Sequence, residues 1–181
     1  MVSKLDRIVV WDGPLDREKL ARVGEVRPDG WHNVYKPAGL WYAFGWEWVE
    51  WCRQENFHDG QLRRAYRVGV EEGRILSLST EAELVEFTKK YTADPPYAHL
   101  RSPAFPAPET FGLYVDWARL RREEYAGIEI PVYQWRWRLR LLWYYGWDVA
   151  SGCVWDPAAI TSLEEVEIPA AIDDNEESET G

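Results

Sequence analysis

Apolar and polar positions change period several times along the chain, and each change marks an element. Arg7–Trp11 is a short apolar run closed by Asp12, Gly13 and Pro14, which predicts a buried strand ending in a turn. Residues 15–23 have room for one or two helical turns. Pro37 and Gly39 shape a turn that feeds a strand over residues 40–44. After Gly45 the period becomes helical, with Trp48, Trp51, Cys52 and Glu55 on one face of a helix running to about Asn56. Residues 66–70 and 74–78 read as extended pieces around Glu71, Glu72 and Gly73. Thr80 and Glu83 have the capping-box spacing, and Leu84, Phe87, Thr88 and Tyr91 mark the inner face of the helix that follows. Asp116 is an N-cap for a helix over residues 117–125, with Gly127 as its stop, and residues 128–133 predict a further strand. Residues 160–168 predict an edge strand with Val166 and Ile168 inward.

Residues 134–143 admit two periods. Trp135, Trp137, Leu139, Leu141 and Trp143 alternate with Gln134, Arg136, Arg138 and Arg140, which is a strand signal. A helix started by Pro131 also brings Arg136 beside Arg140 and Trp137 over Leu141, so both forms stay open, with the strand favoured. In either form Arg136, Arg138 and Arg140 share one face. That face is an anion site gripping phosphate with guanidinium forks, or a solvated side opposite the core. Between residues 93 and 112 periodicity fades and five of the eleven prolines gather, giving a long loop that contacts substrate or partner, or a solvated insertion. The organisation expected is one α+β domain over residues 1–169 and an acidic, disordered tail over residues 170–181.

Composition narrows the classes. A chain of 181 residues, 46% hydrophobic, is long enough for one domain with a sizeable core. Its 12 Trp and 10 Tyr supply large rigid rings with polar edges, most of them expected to pack inside. The formal charge of −10 is concentrated: eight acidic residues and no basic one lie between Glu164 and Gly181, leaving 23 acidic against 21 basic elsewhere. Without a cationic excess, binding to duplex nucleic acid is not expected. Two distant cysteines form no disulfide framework, no leader precedes a cleavage site, and no apolar run approaches the roughly 18 residues of a membrane span. A cytoplasmic protein with no membrane partner is expected. His32, His58 and His99 are scattered without ligand spacing, so no metal is expected, and P-loop, GxGxxG and HExxH motifs are absent from the sequence.

The densest chemistry lies in residues 142–160, where aromatics surround Gly146, Trp147 and Asp148, and Ser151 and Cys153 follow. Asp148 is suited to orient a ribose hydroxyl or act as a base, or else to hold an Asx turn. Cys153 has no activating histidine nearby in sequence, which disfavours a thiol nucleophile. Arginines beside flat rings suit a nucleotide-like small molecule, because bases stack on aromatic faces.

The run from Lys36 through Pro37, Ala38, Gly39 and Leu40 to Trp41, the helix opened by Asp116 and Trp117, and the run from Trp143 through Gly146, Trp147, Asp148, Ser151, Gly152 and Cys153 to Asp156 together resemble a group of small uncharacterised phage and bacterial proteins. Some members of that group are distantly similar to ADP-ribosyltransferases. The resemblance implies a split mixed sheet with peripheral helices and an NAD-binding cleft. Lys36, Trp41, Arg136, Arg138, Arg140 and Trp147 would hold the cofactor, and Asp148 and Ser151 would serve catalysis. It also implies a phage-encoded protein acting on a host factor, either by transfer or as a non-catalytic anti-defence module that binds a nucleotide signal or a host protein. The chain departs from the transferase patterns. No histidine stands in residues 9–13, and the Ser-Thr-Ser and Glu-x-Glu elements have only echoes at Ser77 to Thr80 and at Glu165 to Glu167.

Overall fold

The computed structural model describes residues 2–22, 36–57, 62–93 and 114–170. Apart from Ala93 the proline-rich loop, and apart from Ala170 the acidic tail, lie outside the described residues. The chain forms a single α+β domain. In order come β1 (Arg7–Trp11), α1 (Arg17–Ala21), β2 (Leu40–Phe44), α2 (Glu47–Gln54), β3 (Arg64–Val70), β4 (Ile75–Ser77), α3 (Glu81–Tyr91), β5 (Thr92–Ala93), β6 (Tyr114–Val115), α4 (Trp117–Arg122), β7 (Gly127–Ile130), β8 (Ser151–Val154) and β9 (Ile160–Val166). Seven strands join in one continuous sheet in the order β4-β7-β8-β2-β1-β3-β9, and β5 and β6 make a separate small ladder. Among the described residues only β4 and β7 pair in parallel; the other ladders are antiparallel. The sheet is mixed, as expected, but its seven strands are joined edge to edge and not split into two sheets.

The sheet is curled, and chain length requires it. β3 and β4 stand five positions apart in strand order, about 24 Å in a flat sheet. The link from Val70 to Ile75 reaches at most about 18 Å even when extended. The two sides of the sheet therefore approach each other at this end, where the link is bonded to its neighbour on each side: Glu71 N–H donates to Ala159 O at 2.8 Å just before β9, and Arg74 O accepts from Ala126 N–H at 2.8 Å just before β7, while Trp155 N–H donates to Ala126 O at 2.9 Å past the β7–β8 ladder. The Arg74 guanidinium also donates to the Asp156 carboxylate, and that bond holds the Asp156 carboxyl below its ordinary value.

Both sheet faces are covered, and the strand period sorts side chains between them. One face carries Ile128 and Ile130 of β7 and packs with Leu84 and Phe87 of α3, Trp117 and Leu120 of α4, and Trp143, Tyr144, Trp147 and Trp155. The other gathers Val9, Leu15, Leu40, Tyr42, Phe44, Tyr66 and Val68. α3 starts with the expected box, Glu83 N–H donating to Thr80 Oγ1 at 3.2 Å and Thr80 N–H to the Glu83 carboxylate at 2.9 Å, and it buries Leu84, Phe87, Thr88 and Tyr91. Asp116 caps α4 by accepting the Arg119 N–H at 2.9 Å.

Four sequence expectations need correction. α4 stops at Arg122, short of Tyr125, because Glu124 takes a left-handed conformation (φ 64°) and turns the chain. Gly127 therefore opens β7, and Pro131, which has no N–H to give, ends that strand before Tyr133. On α2 the buried residues are Val49 and Cys52; Trp48 is half-buried and stacks on Trp51 with centroids 5.0 Å apart. β9 is an edge strand, but Val166 and Ile168 are only half-buried.

A buried polar network crosses the second face. Glu129 of β7 is 6% exposed. It accepts two hydrogen bonds from the Arg7 guanidinium, at 2.9 and 3.2 Å, and one from the Tyr42 hydroxyl at 2.7 Å. Tyr42 reaches Glu129 across β8 because the residue between them is Gly152; a Cβ there would lie 2.4 Å from the Tyr42 ring. Burial lowers the Arg7 guanidinium, but the hydrogen bond and charge of Glu129 outweigh it and hold it above its ordinary value. Burial, then the Glu129 charge, push the Tyr42 phenol well up.

Glu129→Ala leaves the mostly buried Arg7 guanidinium with only the exposed Glu72 carboxylate, at 3.5 Å, and is expected to lower unfolding free energy by up to about 3–5 kcal/mol. Gly152→Ala, which displaces the Tyr42 ring, is expected to cost about 1–3 kcal/mol. Urea titrations of both variants check this, and equal stability to the parent would refute it.

Candidate functional site

The connection from β7 to β8, residues 131–150, carries most of the groups that the sequence singles out. Its alternating stretch is neither strand nor α-helix. Two 3-10 turns, Trp135–Trp137 and Leu142–Tyr144, fold it up. A strand needs a neighbour to complete its ladder; here the backbone donors bond locally, Trp137 N–H to Gln134 O at 2.9 Å, Leu141 N–H to Trp137 O at 2.9 Å and Trp147 N–H to Tyr144 O at 2.9 Å. Side chains tie the loop to itself as well. The Tyr133 hydroxyl donates to Trp147 O at 2.5 Å, and Gln134 N–H donates to the Tyr144 hydroxyl at 3.0 Å. Burial pushes the Tyr133 phenol up to about 12.

This folding divides the loop into two sides. Leu141, Trp143, Tyr144 and Trp147 are at most 1% exposed, whereas Trp135 is 67%, Leu139 78% and Tyr145 52% exposed. The three arginines do not share a face. Arg138 turns inward and donates to Asp148 Oδ1 at 2.6 Å. Its guanidinium lies 5.5 Å from the Trp135 ring centroid and 5.4 Å from that of Tyr145. Arg136 and Arg140 are exposed and make no ion pair among the described residues; Arg140 lies 5.6 Å from the Trp137 ring centroid.

The segment that begins at Lys36 meets this loop. Trp41 and Trp147 touch edge to face, with centroids 4.9 Å apart, and the Lys36 ammonium sits 4.7 Å from the Trp41 ring centroid. The Lys36 stem runs past Gly146, where a Cβ would lie 3.2 Å from its Cε. Trp41 Nε1 donates to Pro37 O at 3.2 Å, closing the turn. Gly39 lets that turn press on β8, since a Cβ there would lie 2.5 Å from Cys153 Sγ and Val154 O. Burial lowers the Lys36 ammonium from its ordinary value, against the opposing charge of Asp148.

The predicted catalytic groups are already engaged. Asp148 is held by Arg138, and the buried Ser151 hydroxyl donates to Val149 O at 2.8 Å. Cys153 is fully buried, and its thiol is pushed well up by that burial, so it stays protonated. Trp147 is 0% exposed and belongs to the core, so its ring has no free face for a ligand. Ser77 closes β4 and Glu165 lies on β9, the two opposite edge strands, and Glu165 is paired with Arg64 at 2.9 Å. Among the described residues no three His, Cys, Asp or Glu side chains gather as metal ligands, and no helix is long and apolar enough to cross a membrane.

Two arrangements escape sequence reasoning. The Arg7–Glu129–Tyr42 network has one visible sign, a glutamate inside the apolar strand β7. The contact of Arg121 with Ala38 O at 3.1 Å and with the Trp155 ring at 5.3 Å has none, because it depends on which loops meet. Compared with protein-family models, with curated proteins and with solved structures, the chain matches none.

Lys36 gives a pH dependence. In the folded chain it loses its proton below the ordinary 10.5, so between the lowered value and 10.5 the unfolded chain binds more protons and stability rises with pH. Lys36→Met removes the buried charge. It is expected to raise the melting temperature at neutral pH and to lose that advantage toward the ordinary lysine range. Thermal melts of both proteins across the alkaline range check this; an advantage that grows with pH would contradict it.

Proposed function

We propose that this protein is a non-catalytic binding module whose recognition element is the loop between β7 and β8, and that it takes an anionic partner. The way the groups are turned supports this. Those suited to chemistry face inward and are saturated: Asp148 by Arg138, Ser151 by Val149 O, and Cys153 by burial. Those suited to recognition face outward: Trp135, Leu139, Tyr145, Arg136 and Arg140. A general base must be within reach of the proton it takes, and a carboxylate already gripping a guanidinium at 2.6 Å is a structural counterion first. On the resemblance to small phage proteins, the partner is a host factor that is captured and not modified.

A second reading is an NAD-binding ADP-ribosyltransferase. It is favoured by one observation, the meeting of Lys36 and Trp41 with Trp147 and the Asp148 pair. In that case opening the Arg138–Asp148 bond would free an arginine for phosphate and a carboxylate for the ribose.

Incubation with labelled NAD and a bacterial lysate separates the two. Neither nicotinamide release nor labelled protein is expected. Turnover that falls by at least about a hundredfold in Asp148→Asn would establish the enzyme instead.

A further inference from the structure

Seven large apolar side chains are exposed among the described residues, and four of them, Val132, Trp135, Leu139 and Tyr145, belong to the one loop between β7 and β8. An exposed apolar cluster of this kind marks a contact site. Its chemistry differs from that of the rest of the chain. The sequence from Pro131 to Trp147 contains Arg136, Arg138 and Arg140 and no Asp or Glu, in a chain whose formal charge is −10. Asp148 beside it is already neutralised by Arg138. The loop is therefore a cationic, aromatic island on an acidic protein.

Resting on the binding-module reading above, we infer that this island docks an acidic protein segment that carries apolar side chains among its carboxylates. Arg136 and Arg140, unpaired among the described residues, supply the charge complement. Trp135 and Tyr145 flank Arg138, a grouping of the three residue types that dominate binding energy at protein interfaces. Leu139, at 78% exposed the most open of the four, offers nothing to a base or a phosphate and gains only against an apolar side chain. A nucleic acid strand is the weaker fit for a second reason: it needs a continuous basic track, and the loop offers only Arg136 and Arg140 without an ion pair among the described residues. The surface is also pre-formed. Arg138 is fixed by Asp148, and the loop is tied by the Tyr133–Trp147 and Gln134–Tyr144 bonds, so little ordering is needed on contact.

The test is selection of a random peptide display library on the immobilised full-length chain, with labelled oligo-dT titrated in parallel by fluorescence anisotropy. Enriched peptides should combine Asp or Glu with Leu, Phe or Trp. Their affinity should fall at least about tenfold in Trp135→Ala and in the double variant Arg136→Glu, Arg140→Glu, and recede at high salt. The side chains changed are exposed, and circular dichroism with a thermal melt confirms that each variant is folded. Enriched peptides without an acidic excess, no enrichment, or binding unchanged in the variants would each overturn the inference. Oligo-dT binding that the same variants abolish would also overturn it, as to partner class, while leaving the binding-module reading intact. NAD turnover would instead sink that reading itself.

Discussion

The connection from Val70 to Ile75 sets the shape on which everything else rests, because so short a link can join β3 to β4, five positions away in the order, only if the sheet rolls up at that end. The roll brings Glu71, Arg74, Ala126, Asp156 and Ala159 into one seam. Asp156 is used twice there, accepting from Arg74 and, at 3.0 Å, from the N–H of Ala158, where it caps the turn that leads into β9. Once the edges are held, β7 and β8 lie in the interior of the strand order and both their faces are committed. The loop between them must then settle against whatever covers the first face, and it does so by packing Trp143 on Phe87 and Trp117.

The two faces solve burial differently. The first is aromatic and largely apolar, with Trp143 Nε1 satisfied by the Thr88 hydroxyl at 3.1 Å and Trp155 Nε1 by Tyr125 O at 2.7 Å. The second carries a full ion pair with a tyrosine on it. Such a network adds little net stability over an apolar alternative, but it punishes any shift of register, because a slip of one residue would carry Glu129 to the opposite face and take from Arg7 its buried counterion. Arg7 on β1, Tyr42 on β2 and Glu129 on β7 thus fix the mutual alignment of four strands, β8 being passed over at Gly152.

Much of this was legible in the sequence wherever the cause is local. β1 and β2 follow from apolar runs ended by turn residues, α3 from Thr80 and Glu83, and the start of α4 from Asp116. What was not legible depends on partners distant in sequence. Residues 134–143 alternate as a strand would, yet β7 and β8, the strands they connect, already have a partner on each side, and the same rings sort inward and outward on 3-10 turns. The meeting of the Lys36 and Trp147 segments was legible as an expectation, since both are shaped by glycine and dense in rings, and Trp41 does reach Trp147. What that meeting makes is a packed contact in which Trp147 is wholly buried and Arg138 occupies the Asp148 carboxylate. Charge patterning gave no hint that Arg138 would part company with Arg136 and Arg140.

The pairing of Ile130 with Ser151 has a consequence for how this chain can vary. The loop leaves and re-enters the sheet on neighbouring strands, so its two ends stand about one strand spacing apart, near 4.8 Å. A hairpin insertion anchored in this way can change its outward residues without disturbing the register of any ladder. Its inward residues, Trp143, Tyr144 and Trp147, have no such freedom, because they complete the core. One stretch of chain thus contains a half constrained by packing and a half free to vary, the layout of an exchangeable cassette seated on a fixed socket.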